Sequence, residues 1–293
     1  MLKALHFVMV GLTFVLITAC QPHENNHEMT IETNHTIGQY ADINGLHMYY
    51  EIHGNGQPLV LIHGGGSTIE TSFSRMIPLL ADSHQLICVE LQAHGRTGDR
   101  SAEISFEQDA DDVAALLQFL KIEKADIFGF SNGGNTALQL AIRHPSVCRK
   151  IVAASPLLKR EGAPAQFWEF MKHGTFEQMP QAYKDAYLKV NPDTAGLMNM
   201  YNKCAYRMNH FQDIPDEQLK AIKAPVLLVN GDADVATSEH IVAMSKLIPG
   251  CHLAIFPGGH GEYMGEINTP AYSSKNDPLI LAVLSRFLGT SQP

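Results

Sequence analysis

The chain contains 293 residues, of which 45% are hydrophobic and 17% charged, and its formal net charge is −9. This composition excludes a disordered acidic chain and a coiled coil, and the negative charge argues against a nucleic-acid binder, which needs a basic face. Five cysteines are too few for a disulfide scaffold, and the length leaves room for one large domain or two ordinary ones.

The first twenty residues have the layout of a secretory signal. Lys3 precedes an apolar run over residues 5–19, which is shorter than the ~20 residues that span a bilayer. The segment Ile17-Thr18-Ala19-Cys20 resembles the bacterial lipobox, in which cleavage occurs before a lipid-modified cysteine. It implies a signal peptide over residues 1–19 and a lipid anchor on Cys20, which would hold the protein at a membrane of the cell envelope. An uncleaved anchor and a signal cut elsewhere are the alternatives.

Residues 20–38 are predicted to form a polar tether ahead of a globular domain. The stretch 21–36 reads QPHENNHEMTIETNHT and offers almost nothing to bury. Its histidines, His23, His27 and His35, could bind a metal ion, but no cysteine or second ligand cluster accompanies them. A solvated linker is therefore the favoured interpretation, and no metal site is expected.

Residues 39–289 are predicted to form a single α/β domain. Asn44-Gly45 between two strand-like runs predicts a hairpin, because both residue types suit the positive φ angles of a tight turn. Apolar runs without strict alternation predict strands covered on both faces, at residues 59–62, 86–89, 125–130, 151–154, 226–229 and 253–256. Helical periodicity predicts helices at residues 106–120, 133–143, 238–247 and 278–288. This alternation indicates a mostly parallel sheet with helices on both faces.

A glycine-rich loop follows the strand predicted at residues 59–62. It reads His63-Gly64-Gly65-Gly66, and glycines placed there leave backbone N–H groups free to face a ligand. Such a loop can supply one donor of an oxyanion hole, for which Gly65 is the preferred residue while Gly64 and Gly66 remain open. A phosphate-binding loop is disfavoured, because neither G-x-G-x-x-G nor a following Gly-Lys-Ser/Thr is present.

The strand predicted at residues 125–130 leads into a G-x-S-x-G motif, Gly129-Phe130-Ser131-Asn132-Gly133. Its place between a strand and a helix is the one that a nucleophilic serine needs, since a sharp turn there exposes the hydroxyl. The glycines allow strand and helix to approach closely, and the N–H of Asn132 can donate to a developing oxyanion. The motif therefore predicts Ser131 as a catalytic nucleophile.

One block, residues 157–222, interrupts the alternation of strands and helices. It contains no convincing strand, but helical pieces that glycine and proline divide. Five of the twelve methionines and the single tryptophan, Trp168, lie in it. A helical insertion rich in adaptable apolar side chains predicts a lid over a pocket, and favours a small-molecule substrate with an apolar group. The alternative is a helical excursion that packs only for its own stability.

Two later strands are followed by an acid and a histidine. Asp232 and Asp234 follow the strand predicted at residues 226–229, and His260 lies in a glycine-rich loop after the strand at 253–256. Binding and catalytic groups in α/β sheets lie beyond the carboxyl ends of strands. A catalytic serine needs a base, and the base needs an orienting acid. The order Ser131, an aspartate, His260 therefore predicts a catalytic triad.

These motifs together resemble the lid-bearing serine hydrolases of the α/β-hydrolase superfamily. The segment Glu90-Leu91-Gln92-Ala93-His94-Gly95-Arg96-Thr97 is similar to the family's D-x-x-G-H-G-x-S, although Glu90 and Ala93 depart from its commonest form. The resemblance covers residues 39–288 and implies an eight-stranded sheet with an antiparallel second strand and a lid after the sixth. It also implies that Asp234 is the acid of the triad, that Asp232 is a structural neighbour, and that no cofactor or metal is needed.

The resemblance implies that the protein cleaves a carboxylic ester through an acyl-enzyme. Amides, lactones, thioesters and carbon–carbon bonds are alternatives within the same fold. A prolyl aminopeptidase ranks second, since the insertion holds acids that could bind a free amine, namely Glu161, Glu169, Glu177 and Asp185. A membrane-tethered binding protein without catalysis is the alternative from another class, but such proteins usually lack a triad residue and none is missing here.

Four cysteines remain besides Cys20, namely Cys88, Cys148, Cys204 and Cys251. Three of them lie in predicted strands or directly before them, so buried thiols are expected, while Cys204 lies in the insertion. An oxidising envelope permits a disulfide among the four, but the sequence does not pair them.

Overall fold

The computed structural model describes residues 38–273 and 278–289. The predicted signal peptide, Cys20 and the tether up to residue 37 lie outside the described residues. Within the described ranges, every helix is too short or too polar to cross a membrane.

An eight-stranded sheet forms the centre of the fold. Its strands are β1 Gln39–Ile43, β2 Leu46–His53, β3 Gln57–Ile62, β4 His84–Val89, β5 Ala125–Phe130, β6 Cys148–Ala154, β7 Val226–Gly231 and β8 His252–Phe256. Their spatial order is β1-β2-β4-β3-β5-β6-β7-β8. β2 pairs antiparallel with β1 and β4, and all other pairs are parallel. The predicted mostly parallel sheet with an antiparallel second strand is confirmed.

The β1–β2 hairpin turns at the predicted Asn44-Gly45 pair, with φ of 50° and 77° at the two residues. Several strands are longer than the apolar runs that predict them. β3 begins at Gln57 rather than residue 59, and β6 begins at Cys148 rather than residue 151. Backbone pairing continues past the buried segment of a strand, so hydrophobicity alone underestimates its length.

Helices cover both faces of the sheet. The ten α-helices of the described residues are α1 Ile69–Phe73, α2 Ile77–Leu80, α3 Phe106–Phe119, α4 Asn132–Arg143, α5 Ala165–His173, α6 Gln181–Val190, α7 Thr194–Asn209, α8 Asp216–Lys220, α9 Ser238–Leu247 and α10 Ile280–Leu288. α3, α4 and α9 share a core with Val60 and Ile62, whereas α1, α2 and α10 share one with Leu59 and Leu61. Both faces of β3 are therefore buried, which explains its unbroken apolar run. The helix start predicted at residue 278 is wrong, since α10 begins at Ile280.

Four helices, α5 to α8, occupy the chain between β6 and β7; we call them the helical insertion. Trp168 and Phe211 join the core on the α3 side of the sheet. A separate small cluster within the insertion contains Met179, Tyr187, Leu197 and Met200. The insertion therefore has a core of its own and is also packed against the sheet domain.

Two ion pairs join α7 to the loop and helix that follow β4. Arg207 Nη1 lies 2.7 Å from Asp109 Oδ2, and both side chains are almost fully buried. Lys203 Nζ lies 2.9 Å from Asp99 Oδ1 and also donates to two backbone carbonyls of the same loop. Positions 203 and 207 are one helical turn apart, so both cations project from the same side of α7.

The four cysteines in the described part of the chain are free thiols. Cys88 and Cys148 are buried, and burial raises the pKa of Cys148 to about 12. Cys204 and Cys251 are partly exposed, so the expectation of burial is wrong for Cys251.

Candidate active site

Ser131 lies at the sharp turn between β5 and α4, where the motif predicts it. Its backbone has φ 55° and ψ −121°, a strained conformation for a residue with a Cβ. A Cβ at Gly129 would lie 1.9 Å from the Gly133 carbonyl oxygen, and a Cβ at Gly133 would lie 2.1 Å from that of Ile62. Both positions therefore require glycine, and their close packing holds Ser131 at the carboxyl edge of the sheet.

The imidazole of His260 lies between Ser131 and Asp234. Its Nε2 is 3.0 Å from Ser131 Oγ, and its Nδ1 is 2.6 Å from Asp234 Oδ1. The carboxylate favours the tautomer in which Nδ1–H donates, which leaves Nε2 to accept the serine proton. Burial by itself would lower the pKa of His260, but the hydrogen bond and the negative charge of Asp234 outweigh burial and raise it.

Asp234, rather than Asp232, contacts His260. Its buried carboxylate accepts four hydrogen bonds, from His260 Nδ1, the Ser155 hydroxyl (2.5 Å) and the N–H groups of Gly231 (3.2 Å) and Val235 (2.6 Å). Burial would raise the pKa of Asp234, but the His260 charge and these donors outweigh it and lower the pKa. Asp232 instead accepts the Gly258 N–H at 2.9 Å, and so supports the loop that carries His260.

Two hydroxyl groups near Asp234, those of Ser155 and Tyr263, were not predicted from the sequence. Ser155 directly follows β6 and donates to Asp234 Oδ2, while the Tyr263 hydroxyl lies 2.6 Å from Ser155 Oγ. Ser155 has φ 49°, which is unusual for serine. A serine after a strand carries no signal by itself. The one available clue is that β6 lies between β5 and β7, which are followed by Ser131 and Asp234.

The three glycines after β3 differ in what their N–H groups contact. The Gly64 N–H donates to Ser72 Oγ at 3.2 Å, and the Gly66 N–H donates to His94 Nε2 at 3.1 Å. The Gly65 N–H donates to no other group in the described part of the chain. Of the three glycines that the sequence leaves open, Gly65 therefore has the amide available for a ligand.

Gly65 lies against Asn132, the residue after Ser131. A Cβ at Gly65 would lie 2.2 Å from Asn132 Nδ2, so a larger residue there would displace the Asn132 amide. The N–H of Asn132, at the start of α4, has no acceptor among the described residues either. Two available amides beside a serine hydroxyl form an arrangement that can stabilise a tetrahedral oxyanion.

Glu90 and Ala93, which depart from the commonest form of the family segment, do not line the cavity. Glu90 is buried and pairs with Arg96 at 2.6 Å, and burial raises the pKa of Glu90 to about 7. Ala93 adopts a left-handed backbone with φ 65°. Beside them, burial lowers the pKa of His94 to about 4, so this histidine is neutral and accepts the Gly66 N–H. His94 therefore supports the glycine loop rather than the reacting groups.

A cavity of about 480 Å³ opens beside Ser131. Its wall on the sheet side contains four of the predicted site residues, Gly65, Ser131, Asn132 and His260. A larger, more open depression of about 640 Å³ is lined by residues such as Asp111 and His144 and contains none of them. Within the described ranges, no group of three or more His, Cys, Asp or Glu side chains could hold a metal ion. The smaller cavity is therefore the candidate active site.

Residues 57–209 match the family model for the alpha/beta hydrolase fold, which is more than half of the chain. The chain belongs to the α/β-hydrolase family. Its eight-stranded sheet and strand order are consistent with that assignment.

Relatives of this α/β-hydrolase are named for different activities. The dihydrolipoyllysine-residue acetyltransferase component of the acetoin cleaving system of Cupriavidus necator is 33% identical over 120 residues, which is 41% of this chain and 32% of that protein. The 2-hydroxymuconate semialdehyde hydrolase of Pseudomonas sp. strain CF600 is 35% identical over 120 residues, or 40% and 42% of the two chains. The match thus spans less than half of either relative. The solved serine hydrolase CarC, involved in carbazole degradation, has a TM-score of 0.70 at 21% identity, over 87% of this chain and 99% of that one, and shares the fold.

The helical insertion of this α/β-hydrolase supplies the outer wall of the cavity. Most of the side chains that it contributes are apolar, among them Phe167, Met171 and Met208. Tyr183 on α6 also lines the cavity and donates to Glu266 Oε1 at 2.6 Å. This hydrogen bond joins the insertion to the segment after His260, and neither of its residues was predicted from the sequence.

The acids that a prolyl aminopeptidase would require lie outside the cavity. All four are exposed and none lines it; they are Glu161, Glu169, Glu177 and Asp185. The prolyl aminopeptidase alternative depends on acids at the cavity, and these four do not lie there.

Proposed function

We propose that this α/β-hydrolase is a serine hydrolase that cleaves a carboxylic ester through an acyl-enzyme. The observation that carries the proposal is the chain of contacts from Ser131 Oγ to His260 Nε2 and from His260 Nδ1 to Asp234 Oδ1, at the wall of the cavity. A serine hydroxyl is a poor nucleophile unless a base removes its proton. These contacts supply the base and its orienting acid.

In the proposed acylation, Ser131 Oγ attacks the ester carbonyl while His260 Nε2 takes its proton. Asp234 remains charged because its pKa is lowered, and it stabilises the imidazolium that forms. The N–H groups of Gly65 and Asn132 donate to the oxyanion of the tetrahedral adduct. His260 then gives its proton to the departing alkoxide, which leaves the acyl group on Ser131.

Water completes the proposed cycle with the same residues in the same roles. His260 takes a proton from water, which attacks the acyl carbon. Collapse of the second tetrahedral adduct breaks the bond to Ser131 Oγ, and His260 returns the proton to that oxygen. No cofactor or metal takes part in this sequence of steps.

Ser131→Ala tests the proposal with p-nitrophenyl esters as substrates. We expect kcat to fall about 10⁴- to 10⁶-fold, because the nucleophile and its base act as a unit. The circular dichroism spectrum should be unchanged. Ser245→Ala, which lies outside the cavity, is the matched control and should retain full activity. Substantial turnover by Ser131→Ala, or an inactive wild-type protein, would overturn the proposal, and the second result would favour a binding protein without catalysis.

We also propose that the helical insertion acts as a lid. It forms the outer wall of the cavity, and α7 is held by two ion pairs, one of them buried, whereas α6 meets the segment after His260 through Tyr183. A phosphonate ester bound to Ser131 should therefore slow amide hydrogen exchange in α5 and α6 more than in α7. Equal exchange with and without the phosphonate would refute the lid.

A separate proposal concerns localisation. Lys3, the apolar run over residues 5–19 and the Ile17-Thr18-Ala19-Cys20 ending support a lipid anchor on Cys20 at the bacterial cell envelope, on the periplasmic or extracellular side of a membrane. Cys20→Ala in the full chain should abolish incorporation of labelled palmitate and release the protein from the membrane fraction, with ester hydrolysis retained. An unlabelled wild-type protein would contradict the anchor.

A further inference from the structure

We infer from the cavity that this enzyme acts on substrates whose bound group is uncharged, and that it discriminates against both carboxylate-bearing and ammonium-bearing esters of the same size. This inference rests on the proposed ester hydrolysis and adds the charge class of the substrate. Three observations support it. The cavity wall is mainly uncharged, the charged residues of α7 lie on another side of that helix, and several polar side chains at the cavity already have hydrogen-bond partners.

The wall of the cavity lacks charged side chains apart from the proposed base, His260. None of its described residues is Lys, Arg, Asp or Glu. Away from Ser131 the wall is mainly aromatic or aliphatic, and its fully apolar members include Phe167, Phe170, Met171, Met179, Met208 and Phe211. An ionised group placed there would lose its hydration without gaining a counter-charge, which is strongly unfavourable.

Two cations of helix α7, Lys203 and Arg207, do not line the cavity. Four of its residues, spaced as one helical stripe, face the cavity: Tyr201, Cys204, Ala205 and Met208. Lys203 and Arg207 lie on another stripe and are paired with Asp99 and Asp109. Neither cation can reach a bound carboxylate unless its ion pair breaks.

Four polar side chains of the wall, those of Asn135, Ser155, Tyr183 and Tyr201, are already engaged within the protein. Asn135 exchanges two hydrogen bonds with the backbone of Leu157, and the Tyr201 hydroxyl donates to a backbone carbonyl. The Tyr183 hydroxyl donates to Glu266, and Ser155 donates to Asp234. Away from the reacting atoms, these groups offer little to a charged substrate.

Glu266, the acid that Tyr183 contacts, does not provide a site for a cation. It is almost fully buried and does not line the cavity. One carboxyl oxygen accepts the Tyr183 hydroxyl and the other accepts the Asn268 N–H at 2.8 Å. Burial also raises the pKa of Glu266, which favours its neutral form. An ammonium group in the cavity therefore finds no available carboxylate.

The size of the cavity allows a chain well beyond an acetyl group. Its volume of about 480 Å³ corresponds to roughly 16 water-sized volumes of ~30 Å³. Six-carbon acyl groups therefore suit a comparison in which only charge changes. A methyl ester at the chain end is the neutral counterpart of a terminal carboxylate.

Four p-nitrophenyl esters test the inference at pH 7: hexanoate, methyl adipate, adipate with a free carboxylate, and 6-aminohexanoate with a free ammonium. We expect kcat/KM for hexanoate and methyl adipate to agree within tenfold, and both charged esters to be at least 100-fold poorer than methyl adipate. A charged ester within tenfold of methyl adipate would overturn the charge selectivity while leaving ester hydrolysis intact. Failure to cleave any of the four would overturn the proposed function itself.

Placing a cation in the wall provides an independent test. Met208→Lys and Met171→Lys each introduce an ammonium group at the cavity, and both positions are only partly buried. The ratio of kcat/KM for adipate to that for methyl adipate should rise at least tenfold in both. Asn202→Lys, on the exposed side of α7, is the matched control and should leave the ratio unchanged. An unchanged ratio in a folded Met208→Lys or Met171→Lys protein would contradict the inference.

Discussion

Replacing Arg207 by methionine should strongly destabilise the protein, because it leaves a buried carboxylate without its counter-ion. The side chains of Arg207 and Asp109 are 4% and 2% exposed, and their charged atoms lie 2.7 Å apart. Removing one partner of such a pair costs about 3–5 kcal/mol. That is a large part of the ~5–15 kcal/mol that typically stabilises a domain. It corresponds to a fall in Tm of roughly 6–20 °C for a domain of this size.

Two further variants separate the lost charge from the lost side chain. Arg143→Met is the matched control, since Arg143 and Asp111 are 40% and 29% exposed and such a pair is worth less than about 1 kcal/mol. Arg207→Met combined with Asp109→Leu should recover most of the loss, because neither charge is then buried alone. Arg207 Nε and Nη2 also lack a hydrogen-bond partner within the described residues, which favours this recovery.

Urea unfolding followed by circular dichroism measures these free energies at pH 7. The loss in Arg207→Met should be smaller at pH 5, because burial raises the pKa of Asp109 and its carboxyl group then takes up a proton more readily. The stabilising effect of that protonation disappears as the pH rises through the raised pKa. A loss in Arg207→Met no greater than that in Arg143→Met would refute the reasoning.

Further predictions concern the proposed catalytic groups. kcat/KM should rise with pH along a limb whose midpoint lies above the ordinary histidine value of 6.5, because Asp234 raises the pKa of His260, which acts unprotonated; a midpoint below 6.5 would contradict this. Asp234→Asn should lower kcat about 10⁴-fold and move the midpoint of the kcat/KM profile to lower pH. An unchanged midpoint would show that Asp234 does not contact His260. Ser155→Ala should lower kcat roughly tenfold, as expected for one lost hydrogen bond to a charged group; unchanged kcat and an unchanged pH profile would show that Ser155 does not position Asp234.

Ser131 and His260 could be predicted because each has a local signature. Ser131 and His260 are flanked by glycines directly after a strand, and the close approach of backbone atoms at Gly129 and Gly133 explains why glycine is needed. The position after a strand left Asp232 and Asp234 both open, and only the resemblance to the family favoured Asp234. The choice between them depends on how the turn after β7 folds, which directs Asp234 to His260 and Asp232 to Gly258.

The supporting residues could not be predicted, because their roles arise from contacts between distant segments. Ser155 meets Asp234 across 79 positions and Tyr263 across 108, and Tyr183 meets Glu266 across 83. Each is an ordinary residue in its local sequence. The same reasoning applies to the fold: apolar runs identify the strands, but the exchange of β3 and β4 in the sheet order depends on packing of the whole domain.

Locating a fluorophosphonate adduct by peptide mass spectrometry tests the proposed nucleophile. The wild-type protein should carry one adduct, on Ser131, because His260 lies 3.0 Å from its hydroxyl and activates it. Ser131→Ala should carry none, and Asp234→Asn should react far more slowly. A wild-type protein without an adduct, or with the adduct on another residue, would contradict the assignment of Ser131 as the nucleophile.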